Sequence, residues 1–271
     1  MRNPKYSGGR LAVEVRQRKK VETIPRMSDP VTPPRPRARS EIHDVVQSLV
    51  ARLGPAAGRK ALDAPLGMGA MAFHLHAAGY EVFGADMDLQ QSADLPAAIT
   101  RKRCNLAVQL PFPDASFDLV TSLEGIEHVE NHFQMLRELA RVTKPGGRLI
   151  LSTPNICNLE ERLNYVVQGT FYRFIDRAEI EEKGSGFDHQ NLIGFVQLRQ
   201  VIDWAGFAVE RVERDRTKWK QVIILAPLWL LLKLFLALQS AKRKAKYLLP
   251  ETGSNAVMLG GNTIIIQAKR L

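Results

Sequence analysis

Residues 60–88 read KALDAPLGMGAMAFHLHAAGYEVFGADMD, and this stretch decides the fold. The apolar run ending at Asp63 has the composition of a buried parallel strand. Gly67 and Gly69 supply a tight turn in which the backbone comes close to a ligand. The spacing predicts a helix over 70–78, stopped by Gly79, and a second strand over 81–85. Asp86 closes that strand, where a carboxylate accepts both hydroxyls of a ribose. Strand, glycine turn, helix and strand, with an acid at each strand end, describe a nucleotide-binding unit.

The charge of the unit selects among nucleotides. Gly67-x-Gly69-x-x-Ala72, with Asp86 about 19 positions after Gly67, matches the dinucleotide fingerprint in form. Asp63 opposes a dinucleotide, because a carboxylate beside the glycine turn repels a pyrophosphate. No Lys or Arg stands in the loop to offset that repulsion. A cationic ligand is favoured instead, and S-adenosylmethionine carries both a sulfonium and an ammonium group.

Downstream, residues 104–155 read CNLAVQLPFPDASFDLVTSLEGIEHVENHFQMLRELARVTKPGGRLILSTPN. This segment resembles class I S-adenosylmethionine-dependent methyltransferases over its whole length. With the glycine loop the resemblance covers about residues 59–155 closely and reaches the C-terminus more loosely. It implies a Rossmann-like α/β fold: a mostly parallel seven-stranded sheet, strand seven antiparallel, with helices on both faces. It places Asp63 near the methionine end of the cofactor, Asp86 on the ribose, and Asn105 with Leu106 at the adenine. Gly67, Gly69, Met87 and Leu123 complete the implied S-adenosylmethionine contacts. Two positions depart from the family pattern. Asn105 stands where relatives usually have Asp, although an amide still accepts a hydrogen bond. Pro65 stands where the first glycine of the turn is usual, which fixes φ and removes a donor.

Other elements follow from periodicity. A helix is expected over 41–53, a strand over 117–123, a helix over 131–142, and a Pro145-Gly146-Gly147 turn into a strand over 148–152. A helix over 198–205 and strands over 207–214 and 262–269 complete a sheet covered on both faces. Residues 1–40 read as a basic disordered tail with too few apolar residues to order, and Met27 offers an alternative start. The methyltransferase domain then occupies 41–271.

Charge is uneven along the chain, whose formal net charge is +10. Residues 1–40 hold 11 Lys/Arg against 3 Asp/Glu, 41–206 hold 15 against 21, and 207–271 hold 12 against 4. A mildly acidic core between basic ends argues against a nucleic-acid substrate, which calls for basic charge around the site. Cys104 and Cys157 lack CxxC spacing, which suggests a reducing compartment and no structural metal. No apolar leader suggests secretion, so the expected location is the cytoplasm, or the inner face of the membrane.

Two insertions interrupt the fold. The first, 154–188, is the expected substrate lid, with a mobile edge at 179–186. Its PNICNLEERLNYVVQGTFYRF resembles a subgroup of bacterial methyltransferases associated with cell-surface glycan and lipid pathways. The second, 215–261, contains VIILAPLWLLLKLFLAL at 222–238, charged only at Lys233. Pro227 suits a first helical turn, and a helix running to 249 would be about 23 residues or roughly 34 Å long. Spanning a bilayer is excluded because strands six and seven must meet in one sheet. Through residues 218–246 the segment suits an anionic membrane surface, given its basic flanks and Trp229 and Phe235. A homodimer contact or packing on its own domain is the competing reading.

The expected chemistry is methyl transfer to a small-molecule, lipid-linked or glycan acceptor, at oxygen. A general base is then needed, and His128 in the IEHV turn and His189 in FDHQN are the candidates. Glu124 and Glu127 suit attraction of the cationic cofactor. His74, His76 and His132 read as structural, and no residues show metal-ligand spacing. Two other functions fit parts of the pattern: an inactive methyltransferase-like assembly protein, motivated by Pro65 and Asn105, and an NAD(P)-dependent oxidoreductase, opposed by Asp63.

Overall fold

The computed structural model describes residues 33–36, 38–171, 189 and 191–271. Seven strands form one sheet in the order β3-β2-β1-β4-β5-β7-β6. They are β1 (Lys60–Asp63), β2 (Glu81–Asp86), β3 (Thr100–Arg103), β4 (Phe117–Ser122), β5 (Thr143–Pro154), β6 (Phe207–Arg214) and β7 (Thr263–Arg270). The pairs β1–β2, β1–β4, β2–β3 and β4–β5 are parallel, while β7 runs antiparallel between β5 and β6. The expected architecture is present, strand seven included.

Alternation along the strands divides the core between two faces. Leu149 and Leu151 of β5, with Ile264 and Ile266 of β7, pack on one side. There they meet α3 (His132–Val142) and α5 (Phe195–Trp204) through Leu136, Leu139, Leu198 and Ile202. Ile150 and Ile265 point to the opposite side, against α1 (Ser40–Ala51) and α2 (Ala70–Ala77) through Val46, Leu49, Met71 and Leu75. Each such fully buried aliphatic side chain contributes about 1.5–3 kcal/mol of burial. The helix α3 starts where its sequence says it should: Asn131 accepts from the Gln134 N–H at 3.0 Å as N-cap.

Two expectations need correction. Pro145-Gly146-Gly147 is no turn ahead of a short strand. β5 already begins at Thr143, and its register with β4 jumps from Phe117↔Thr143 to Leu119↔Arg148. The Pro-Gly-Gly run is therefore a bulge, with Gly146 at φ +79°. Likewise, the long apolar helix of the second insertion is broken. After a short α6 (Trp219–Ile224), Pro227 does stand in the first turn of α7 (Ala226–Ala237). Those 12 residues span only ~18 Å. Ser240 then caps a separate basic helix, Ala241–Lys246, by accepting from the Arg243 N–H. Among the described residues, no helix is long and apolar enough to cross a membrane.

Both ends of this insertion return to the sheet. The Asp215 carboxylate accepts from the Asn262 and Thr263 N–H groups at 3.3 Å each, and Thr217 bridges to Gly260. In the first insertion, α4 (Leu159–Gln168) packs beside it: Glu160 pairs with Lys218 and accepts from Gln221 at 2.7 Å. The rest of the expected lid, 172–188 with its edge at 179–186, lies outside the described residues, as does nearly all of the basic tail expected over 1–40.

Candidate active site

Because β1, β2, β4 and β5 are parallel neighbours, their C-terminal ends share one edge of the sheet. Winding changes direction between β1 and β4, the place where open α/β sheets bind ligands. Asp63, Asp86 and the Leu123–Glu124 turn all fall there.

Asp63 is 2% exposed. One carboxylate oxygen accepts from Thr121 Oγ1 at 2.7 Å and the other from the Ala72 N–H at 3.1 Å. Register explains the first contact, since Asp63 pairs with Thr121 across β1 and β4. Burial pushes the carboxyl up from 3.8 to about 7, and the charge of Asp86 adds to this, while the two hydrogen bonds oppose it. Burial thus disfavours the Asp63 anion, and a positive charge placed beside it would favour ionisation.

Asp86 is braced on both oxygens. Oδ2 accepts from the Gly67 N–H at 2.8 Å and Oδ1 from the Asp88 N–H at 3.0 Å. An ionised carboxylate has about four acceptor positions, so two remain for a pair of hydroxyls. Between the two acids, Gly67 and Gly69 adopt φ +51° and +82°. A Cβ on Gly67 would meet open space, whereas one on Gly69 would lie 2.3 Å from Leu95 Cδ1. The turn is open on its outer side and tight beneath. Pro65 does not destroy it, for its ring packs on Gly125, where a Cβ would lie 2.4 Å from Pro65 Cδ.

Met87 is exposed beside Asp86. Asn105 follows β3, exposed, and its Oδ1 accepts from the Ala107 N–H at 2.9 Å, which fixes the amide in a local turn. Leu106 next to it is buried, as is Leu123, whose side chain belongs to the core.

The IEHV turn carries the second half of the site. Glu124 sits at φ +47°, uncommon for a residue with a side chain. Ser152 Oγ donates to its Oε1 at 3.0 Å, and Thr263 Oγ1 to its Oε2 at 3.4 Å. Glu127 is completely buried, and burial together with the charge of Glu124 pushes its carboxyl well above the usual carboxylate range. Asn191 fastens the incoming segment to this turn, donating from its N–H to Glu127 O at 2.9 Å and from Nδ2 to Val129 O. The outcome is that His128 and His189 meet, ring centres 5.0 Å apart and planes at 67°. The two candidate bases, 61 positions apart in sequence, form one pair.

Residues 62–151 match the family model for the methyltransferase domain. Residues 62–151 therefore carry a methyltransferase domain. A Mycolicibacterium smegmatis protein named as a probable S-adenosylmethionine-dependent methyltransferase is 32% identical over 157 residues, 56% of this chain and 60% of that protein. The demethylmenaquinone methyltransferase of Mycobacterium tuberculosis is 34% identical over 127 residues, 47% and 51% of the two chains. The chain thus spans between half and three fifths of these relatives. Haemonchus contortus phosphoethanolamine N-methyltransferase 2, solved with S-adenosyl-L-methionine, shares the fold with TM-score 0.52 at 19% identity, over 84% of this chain and 52% of that one.

Sequence reading missed three features of this site. Thr121 as the partner of Asp63 and Leu95 as the floor under Gly69 are long-range contacts with no local signal. The complete burial of Glu127 is the third; an acid flanked by Ile126 and His128 looks like any surface turn until Asn191 and Thr153 close over it.

Proposed function

We propose that the chain transfers the methyl group of S-adenosylmethionine to a hydroxyl of a small-molecule or lipid-linked acceptor at an anionic membrane surface. The observation that carries the methyl-transfer reading is the pairing of a buried carboxylate, Asp63, with the braced carboxylate of Asp86 across an open glycine turn. The residues fit this cofactor: Asp63 gains an opposite charge, Asp86 keeps free acceptor positions, and open space lies over Gly67. When bound, the cofactor supplies an electrophilic methyl group on a good leaving group. The protein then aligns the acceptor, excludes water and removes a proton. His128 and His189 are the groups that hold that proton, which the acceptor hydroxyl gives up as its oxygen bonds the methyl carbon.

The surface reading rests on α7 and its neighbours. Trp219, Ile223, Ile224, Leu231, Leu234 and Phe235 are exposed, and the helix Ala241–Lys246 that follows holds four basic residues. Apolar area beside clustered positive charge suits an anionic lipid surface.

Incubating the purified chain with S-adenosylmethionine and a panel of hydroxyl-bearing lipids, quinols and glycolipids tests the reaction. The expected result is S-adenosylhomocysteine with an O-methylated product, absent in Asp86→Ala. A product methylated on nitrogen or carbon would overturn the assignment to oxygen. In flotation, the chain should rise with anionic vesicles and not with neutral ones. Equal flotation with both, or a stable dimer burying the exposed residues of α7, would overturn the surface reading.

A further inference from the structure

We propose that Glu127, His128 and His189 form a binding site for a divalent transition-metal cation of the zinc, iron and manganese class. One ligand atom from each residue lies within 4.8 Å of the other two, and this is the one such cluster among the described residues. Donors on one ion, each about 2.1 Å from it, lie at most ~4.2 Å apart. Closing the widest pair of the set to that spacing is the adjustment that ion binding requires. The ring arrangement already suits it: two imidazoles bound about 100° apart at that distance place their centres about 5 Å apart, as His128 and His189 do.

Glu127 supplies the independent observation. Its side chain is 0% exposed. Thr153 Oγ1 donates to Oε2 at 3.2 Å, yet Oε1 has no hydrogen-bond partner among the described residues. No lysine or arginine pairs with this carboxylate there either. A buried carboxylate with an orphan oxygen carries a large desolvation cost unless a cation offsets it. The neighbouring Glu124 carboxylate adds to the negative potential. Thr153 then acts as the outer partner that orients the ligand, and Asn191 holds the segment that delivers His189.

Two imidazoles with one carboxylate favour zinc, iron or manganese over magnesium or calcium, and they leave coordination positions open. An acceptor oxygen in such a position would have its proton made more acidic by the ion, relieving the histidines of the role of base. That consequence rests on the proposed reaction, whereas binding of the ion does not.

The test uses the full chain, stripped with a chelator and titrated with Zn2+ by calorimetry and with Co2+ by visible absorption. The expected result is one ion per chain at micromolar affinity or tighter, with ligand-field bands for Co2+. His189→Ala and Glu127→Gln should each weaken binding on the order of 100-fold, while His76→Ala leaves it unchanged. Circular dichroism checks folding, and if Glu127→Gln does not fold, His189→Ala decides. S-adenosylhomocysteine affinity, measured in parallel, should persist in His189→Ala, separating loss of the metal from loss of the cofactor pocket. No binding tighter than about 1 mM, or undiminished binding in His189→Ala, would overturn the proposal.

Discussion

The buried carboxyl of Asp63 couples the stability of the fold to pH, and Asp63→Asn should expose that coupling. Asp63 ionises near 3.8 when exposed and near 7 in the fold. A carboxyl raised in this way favours folding while protonated. Its contribution is complete below about pH 4 and is lost as pH rises through 7. Each pH unit inside that window costs about 1.4 kcal/mol, so between pH 5 and 8 the fold loses ~2.5 kcal/mol through this group. Asparagine fits the same place. Its oxygen accepts from the Ala72 N–H, its amide donates to Thr121 Oγ1, and the threonine hydroxyl turns to Leu62 O, already 3.3 Å away. The variant therefore folds but cannot titrate. Urea unfolding at pH 5, 6, 7 and 8 should show the stability of the variant relative to the parent rising by ~2.5 kcal/mol, mostly below pH 7. Parallel stability curves would refute the burial argument. The same variant should also lose the pH dependence of cofactor affinity, which in the parent strengthens by up to about tenfold per unit as pH rises toward 7.

Other outcomes follow from single contacts. Gly69→Ala places a Cβ against Leu95 at φ +82° and should cost about 2–3 kcal/mol of stability by chemical denaturation. Arg141→Ala removes the pair with Glu138 at 2.7 Å and the bonds to Leu110 O and Phe112 O. The largely buried Glu138 carboxylate is left behind, a loss of about 3 kcal/mol in the same assay. Substituting Leu231, Leu234 and Phe235 by serine should abolish vesicle flotation without lowering the melting temperature, because none of the three is buried.

Local chemistry made the first half of the site readable. Asp63, the glycine turn and Asp86 lie within one strand-turn-helix-strand unit, so residue order alone brought them together, and the structure keeps the strand ends where they were expected. Elements governed by distant neighbours were less legible. The start of β5 depends on its pairing with β4, which turns Pro145-Gly146-Gly147 from a turn into a bulge. Continuous apolar sequence over 222–238 promised one long helix, but Ser240 offers a cap that ends it and begins another. His128 and His189 were each visible as candidate bases. Their meeting is set by Asn191, and the isolation of Glu127 beneath them by packing, and neither leaves a mark in residue spacing.

Calorimetric titration of the purified chain with S-adenosylhomocysteine, with Asp86→Ala alongside, tests the central claim most directly. Asp86→Ala removes acceptors from the Gly67 and Asp88 N–H groups as well as from the ligand. Micromolar binding by the parent, weakened on the order of 100-fold in a variant of unchanged circular dichroism, is the predicted result. No heat of binding at millimolar ligand, or equal binding by both proteins, would contradict it.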